Sequence, residues 1–172
     1  LFMYYAQSAP KITEAQLSSD NATVIYDKDG KVLTRLGSQN REYVKKEEIP
    51  KTLKHAIVSI EDRRFYKNNG IDPVRIVGAA LANFTGSSLG LQGASTLTQQ
   101  LVKLSVFSTD ASDRTLKVKA QEAWLALQVD KKYSKDQILE FYINKVYMGN
   151  GVYGMETAAK YYFGKSLDKL AL

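Results

Sequence analysis

The 172-residue chain has no cysteine, a single histidine (His55) and only three prolines. Without cysteine there is no disulfide framework, no zinc–thiolate site, no iron–sulfur cluster and no cysteine nucleophile. One histidine excludes a His-rich metal centre and leaves a Ser-His-Asp triad nothing but His55 to recruit. Chemistry on this chain therefore falls to carboxylates and cations. Long apolar runs are scarce as well: the aromatic start Leu1-Phe2-Met3-Tyr4-Tyr5-Ala6 is far below the roughly 20 residues needed to cross a bilayer. That start has no initiator Met; because Tyr favours the membrane interface, one reading makes residues 1–19 a membrane-proximal stub or linker, and the other a frayed terminus or a buried terminal segment.

What is present fits one domain with a core, since 44% of the residues are apolar and 24% charged. Lys and Arg outnumber Asp and Glu by 24 to 18, a net charge of +6 that favours an anionic partner: nucleic acid, a phosphorylated metabolite or an acidic membrane surface. Charge alone does not choose among these.

The patterning is mainly α. Residues 22–36 (ATVIYDKDGKVLTRL) read as two β-rich runs around Asp27-Lys28-Asp29-Gly30, a short N-terminal β-hairpin. After Pro50, Leu53, Ile57 and Ile60 recur at helical spacing. Asp72-Pro73 is a cap with proline at the first helical position, and Val74, Val77, Leu81 and Phe84 mark a face expected to be core. Thr85 to Gly93, rich in glycine and serine, suits a mobile loop beside a site. Further helices are expected from Ser95 or Thr96 to Val106, from Thr115 to Val129, from the capping box Ser134-Lys135-Asp136-Gln137 to Gly149, and from Met155 to Phe163, closed by Gly164.

Two acids stand out. Glu61 lies four residues after Ile57, on the apolar stripe and near the end of its helix, where desolvation and the negative end of the helix dipole both disfavour the anion. Glu122 repeats the pattern between Val118, Leu125 and Val129. Two inward carboxylates on separate helices are the minimum equipment for acid–base work at a glycosidic or phosphoglycosyl centre. The alternative for each is a structural ion pair. Between them, Gly93, Ser95 and Thr96 precede a helix whose free N–H groups can bind an anion, with Gln99, Gln100 and Lys103 one turn on and Arg114, Lys117 and Lys119 following. The spacing is not that of a P-loop. His55 reads as a partly buried structural residue and Trp124 as packing.

Taken in order, these segments resemble the peptidoglycan glycosyltransferase domain, glycosyltransferase family 51, of class A penicillin-binding proteins. Glu61-Asp62-Arg63-Arg64-Phe65 through Gly70 is similar to the family's first motif, Glu-Asp-x-x-Phe-x-x-His-x-Gly, and Gly93-Ala94-Ser95-Thr96-Leu97-Thr98-Gln99-Gln100 to its second. Lys119 and Glu122 fall in the third, Arg-Lys-x-x-Glu; Lys135 to Asn144 resembles the fourth and Gly151 to Lys165 the fifth. Asn68 stands where the first motif has His, and Val118 where the third has Arg, so neither of those roles carries over.

The resemblance implies a lysozyme-like, two-lobed helical domain over residues 20–172, truncated at its C-terminal end, that polymerises lipid II onto a growing glycan strand by inverting transfer. Glu61 would be the general base on the acceptor 4-hydroxyl, and Glu122 would assist the leaving pyrophosphate directly or through a divalent cation. Ser95, Thr96, Gln99, Gln100, Lys103, Arg114 and Lys119 would bind substrate. Asp62 is the one candidate contact for a metal, with Mg2+ or Mn2+ as the ion and no tight protein metal site expected. The setting implied is the outer face of the bacterial cytoplasmic membrane, with an N-terminal transmembrane anchor missing or truncated here. It also implies a downstream transpeptidase domain, a cell wall synthesis complex, susceptibility to moenomycin, and no nucleic acid. Two rivals remain: a lysozyme-like hydrolase, for which the cations around the centre have no use, and a non-catalytic anion-binding module, for which two inward acids are poor equipment.

Overall fold

The computed structural model describes residues 2–18, 23–36, 41–85, 95–107 and 115–170. The architecture is mainly helical. The elements are α1 (Phe2–Gln7), α2 (Glu14–Leu17), β1 (Thr23–Tyr26), β2 (Val32–Leu36), α3 (Lys51–Glu61), α4 (Pro73–Thr85), α5 (Leu97–Val106), α6 (Leu116–Lys132), α7 (Lys135–Lys145) and α8 (Met155–Phe163), then a 3₁₀ turn at Leu167–Lys169. β1 and β2 pair antiparallel, with an irregularity between Ile25 and Tyr26. Among the described residues no helix is long and apolar enough to cross a membrane.

Local chemistry sets several helix starts. Thr96 opens α5 with its hydroxyl accepting from the Gln99 amide while the Gln99 side chain accepts from the Thr96 amide; Ser134 and Gln137 do the same for α7, and Thr13 and Gln16 for α2. Asp72 caps α4, accepting from the amides of Val74 and Arg75. Gly164, at φ 66°, ends α8 in the left-handed region that glycine enters without strain.

α5 is the central strut. It packs against α2, α6 and α7, and its Leu97, Leu101 and Val102 are fully buried. Leu125 and Val129 of α6, and Ile138, Leu139 and Ile143 of α7, close around it. The turn after α3 is locked onto this core. Phe65 is 0% exposed beneath the Lys135 ammonium, and the Thr96 hydroxyl donates to the Gly70 carbonyl at 2.6 Å. At Gly70, φ is +88° and a Cβ would lie 2.3 Å from the Ala126 carbonyl oxygen, so only glycine lets this turn rest on α6. Asn144, 0% exposed, stitches residues 41–44 to α7 by exchanging hydrogen bonds with the Val44 backbone.

Four expectations change. The apolar face of α4 is not core: Val74, Val77 and Leu81 are 64%, 58% and 60% exposed, because no described element covers it. Phe84 lies outside the residues whose side chains are described. Ile60 is exposed, since the buried side of α3 runs through Ile57 and Val58 instead. His55, on the opposite side of that helix, is exposed rather than partly buried. The helix from Ser134 ends at Lys145, four residues early, where Val146 leaves helical geometry and Tyr147 bridges to Tyr153. The N-terminal residues also carry two helices that composition did not suggest. Ala6 and Leu17 are buried and the Gln121 side chain donates to the Ser8 carbonyl at 2.9 Å, which ties residues 2–18 to α5 and α6.

Candidate active site

Glu61 is the last residue of α3, half-buried, and lines a cavity of about 250 Å³ together with Ile60, Arg63, Arg64, Val74 and Arg75. Its Oε2 accepts a hydrogen bond from Gln100 Nε2 of α5 at 3.0 Å. Gln100 Oε1 accepts in turn from the Tyr142 hydroxyl of α7 at 3.2 Å. Burial, and then the nearby charge of Glu61, push the Tyr142 phenol up to about 12, so it stays a donor at neutral pH. From the other side, Arg75 Nη1 donates to the Glu61 carbonyl oxygen at 2.8 Å and stands 3.6 Å from Asp62 Oδ1. A cation at the last carbonyls of a helix is favoured by the dipole, so α4 braces the end of α3.

Glu122 lies mid-helix in α6 and is 1% exposed. The Lys119 ammonium donates to both its oxygens, at 2.9 and 3.1 Å, and to Ser95 Oγ at 3.1 Å. Burial raises the Glu122 carboxyl above its ordinary value, opposed by the hydrogen bond and charge of Lys119 and then by the charge of Lys103. Lys103 follows Gln100 by one turn on α5. One helix therefore serves both acids, reaching Glu61 through Gln100 and facing Glu122 with Lys103.

The remaining expected residues divide. Thr96 and Gln99 are 0% and 5% exposed, and the Thr96 hydroxyl and Gln99 Oε1 close the α5 capping box, which satisfies the amides of Gln99 and Thr96. Asp62, the expected metal contact, is 0% exposed and accepts from Asn68 Nδ2 at 3.2 and 3.0 Å and from the Leu97 amide at 3.2 Å, beside Arg75. These bonds anchor the first motif to α5. Asn68, in the motif's His position, bonds to Asp62 and accepts from the Gly70 amide and Lys135. Arg114 and residues 86–94 lie outside the described residues.

Sequence reasoning missed Arg75 and Tyr142. Each had a signal: an arginine inside the otherwise apolar stretch Val74 to Leu81, and a hydroxyl on the inward face of α7.

A family model described as Transglycosylase matches residues 29–172, so the chain belongs to the transglycosylase family and is a glycosyltransferase domain. Its relatives include penicillin-binding protein 1A of Streptococcus oralis, 54% identical over 172 residues that make up 100% of this chain and 27% of that protein. Penicillin-binding protein 1A of Streptococcus pneumoniae is 51% identical over 100% of this chain and 24% of its own length. Penicillin-binding protein 1A/1B of Bacillus subtilis is 44% identical over 99% and 18%. The chain thus spans only about a fifth to a quarter of these relatives' length.

Proposed function

We propose that this domain polymerises lipid II into glycan strands, with Glu61 as the general base. The observation that carries this reading is the hold on Glu61, a residue that lines a cavity: one carboxylate oxygen is fixed by Gln100, while Oε1 has no hydrogen bond among the described residues. In the step proposed, Oε1 takes the proton of the acceptor N-acetylglucosamine 4-hydroxyl as that oxygen attacks C1 of the donor N-acetylmuramic acid with inversion. The C1–O bond to phosphate breaks and its electron pair leaves with the lipid pyrophosphate.

Charge then grows on the leaving side. Lys103, Lys119 and Arg114 neutralise it, and the raised, buried Glu122 fixes the Lys119 ammonium where that charge develops. Glu122 and Asp62 do not fit as ligands of a divalent cation: both oxygens of Glu122 accept from Lys119 and both of Asp62 accept from Asn68, one of them also from the Leu97 amide. The exposed apolar face of α4 and the exposed Phe2, Met3 and Tyr4 of α1 support a domain seated against the outer face of the cytoplasmic membrane, where a lipid-linked substrate resides. The same reading has the domain lysozyme-like and two-lobed, with a transpeptidase domain downstream in the longer protein.

The test is incubation of the domain with lipid II and, separately, with finished glycan. Polymer from the first and no cleavage of the second is the expected result. Strand cleavage without polymer would assign a hydrolase instead.

A further inference from the structure

A carboxamide has two ends of nearly equal shape, and only one can hold a carboxylate. Gln100 turned by 180° would set its carbonyl against Glu61, acceptor facing acceptor. Something must therefore choose the amide's direction. The Tyr142 side chain is 5% exposed, and its hydroxyl has no hydrogen bond among the described residues other than that to Gln100 Oε1 at 3.2 Å. With the amide reversed, the phenol would face an NH2 group, and its own proton would be buried without an acceptor. Burial and the neighbouring carboxylate keep that proton on the phenol at working pH, so the donor is always present. The hydroxyl is anchored on α7, whose flanking Phe141 and Ile143 are buried in the core, so it cannot swing to follow a reversed amide.

We propose that Tyr142 is a positioning residue for the transfer reaction: by donating to Gln100 it aims the carboxamide NH2 at Oε2 of Glu61 and leaves Oε1 bare for the acceptor hydroxyl. The chain crosses three helices, from α7 through α5 to the end of α3. Tyr142 touches no substrate in this arrangement; its effect reaches the base only through Gln100. The assignment rests on Glu61 being the base.

The test is a double-mutant cycle on lipid II polymerisation with Tyr142→Phe, Gln100→Ala and the pair. Tyr142→Phe removes one oxygen and keeps the ring that packs the core, so its melting temperature should stay close to the parent's. We expect kcat to fall on the order of tenfold with KM unchanged. Once Gln100 is alanine, Tyr142→Phe should cost nothing further, because its route to Glu61 is gone. A readout without turnover is the side-chain amide signal pair of Gln100 in nitrogen–proton spectra, expected to shift or broaden in Tyr142→Phe.

Additive losses in the cycle, or an unmoved Gln100 amide signal, overturn the proposal. Glu61→Gln separates the two layers: if it polymerises normally the base assignment fails, whereas a dead Glu61→Gln with an additive cycle sinks only the role of Tyr142.

Discussion

The two acids of the site are held in opposite ways. Glu61 sits at a helix end, half-buried, touched on one side-chain oxygen by a neutral amide and gripped through its backbone by Arg75. Glu122 sits mid-helix, 1% exposed, with a lysine ammonium on both oxygens. A group that must exchange a proton with a bound molecule needs an open lone pair and a rigid frame; a group that must hold a cation needs the reverse. The contrast fits the proposed reading, in which the first exchanges a proton and the second clamps a cation. It can be broken at several points.

The largest effect belongs to the proposed base. Glu61→Gln keeps the shape and removes the proton acceptor, so kcat for lipid II polymerisation should drop by about three orders of magnitude with substrate binding retained. Single-turnover kinetics beside a binding isotherm check this. If kcat survives, the open carboxylate is not the base and the contrast loses its meaning.

Next comes the frame. Arg75→Ala removes the donor to the Glu61 carbonyl and the cation beside Asp62, letting the end of α3 relax, and should lower kcat by about ten- to a hundredfold. Arg75→Lys keeps the charge but not the planar fork, so an intermediate value is expected. Equal losses in both variants would mean that geometry matters here and charge does not.

How much of this was legible beforehand depends on how far apart the partners lie in sequence. The capping box at Ser134, the cap at Asp72, the close at Gly164 and the inward placement of Glu122 are written within one or two helical turns, and the structure has them. The bonds that join Gln100 to Glu61 and to Tyr142 span 39 and 42 positions, which no local pattern encodes. α4 failed for another reason: periodicity says that a face is apolar but not what covers it. The capping box at Thr96 and Gln99 was not legible because a satisfied helix start and an anion-binding one present the same residues.

The α4 face, which no described element covers, gives a smaller effect away from the acids. Val77 is 58% exposed, so Val77→Asp should leave the melting temperature nearly unchanged yet weaken binding to anionic lipid vesicles about tenfold, measured by co-sedimentation. A matching loss of thermal stability would show that α4 is covered within the protein, and its face would then say nothing about the membrane.

The smallest effect is the sharpest probe of the clamp. Burial raises the Glu122 carboxyl, so the native state binds its proton more tightly than the unfolded chain does. As pH rises through the ordinary carboxylate range the unfolded chain ionises first, and the native state loses stability until the raised native value is passed. Gln is neutral throughout and can still accept from Lys119. Glu122→Gln should therefore melt with the parent at acid pH and pull ahead as pH rises towards neutrality, as calorimetry across that range would show, while losing polymerisation activity. Lys119→Ala should move the other way at neutral pH, because it leaves a buried carboxylate without its ammonium. If Glu122→Gln melted lower than the parent at neutral pH, the Lys119 pair would outweigh the burial of the anion, and Glu122 would be an ordinary stabilising ion pair instead of a carboxylate kept at a cost for its place in the reaction.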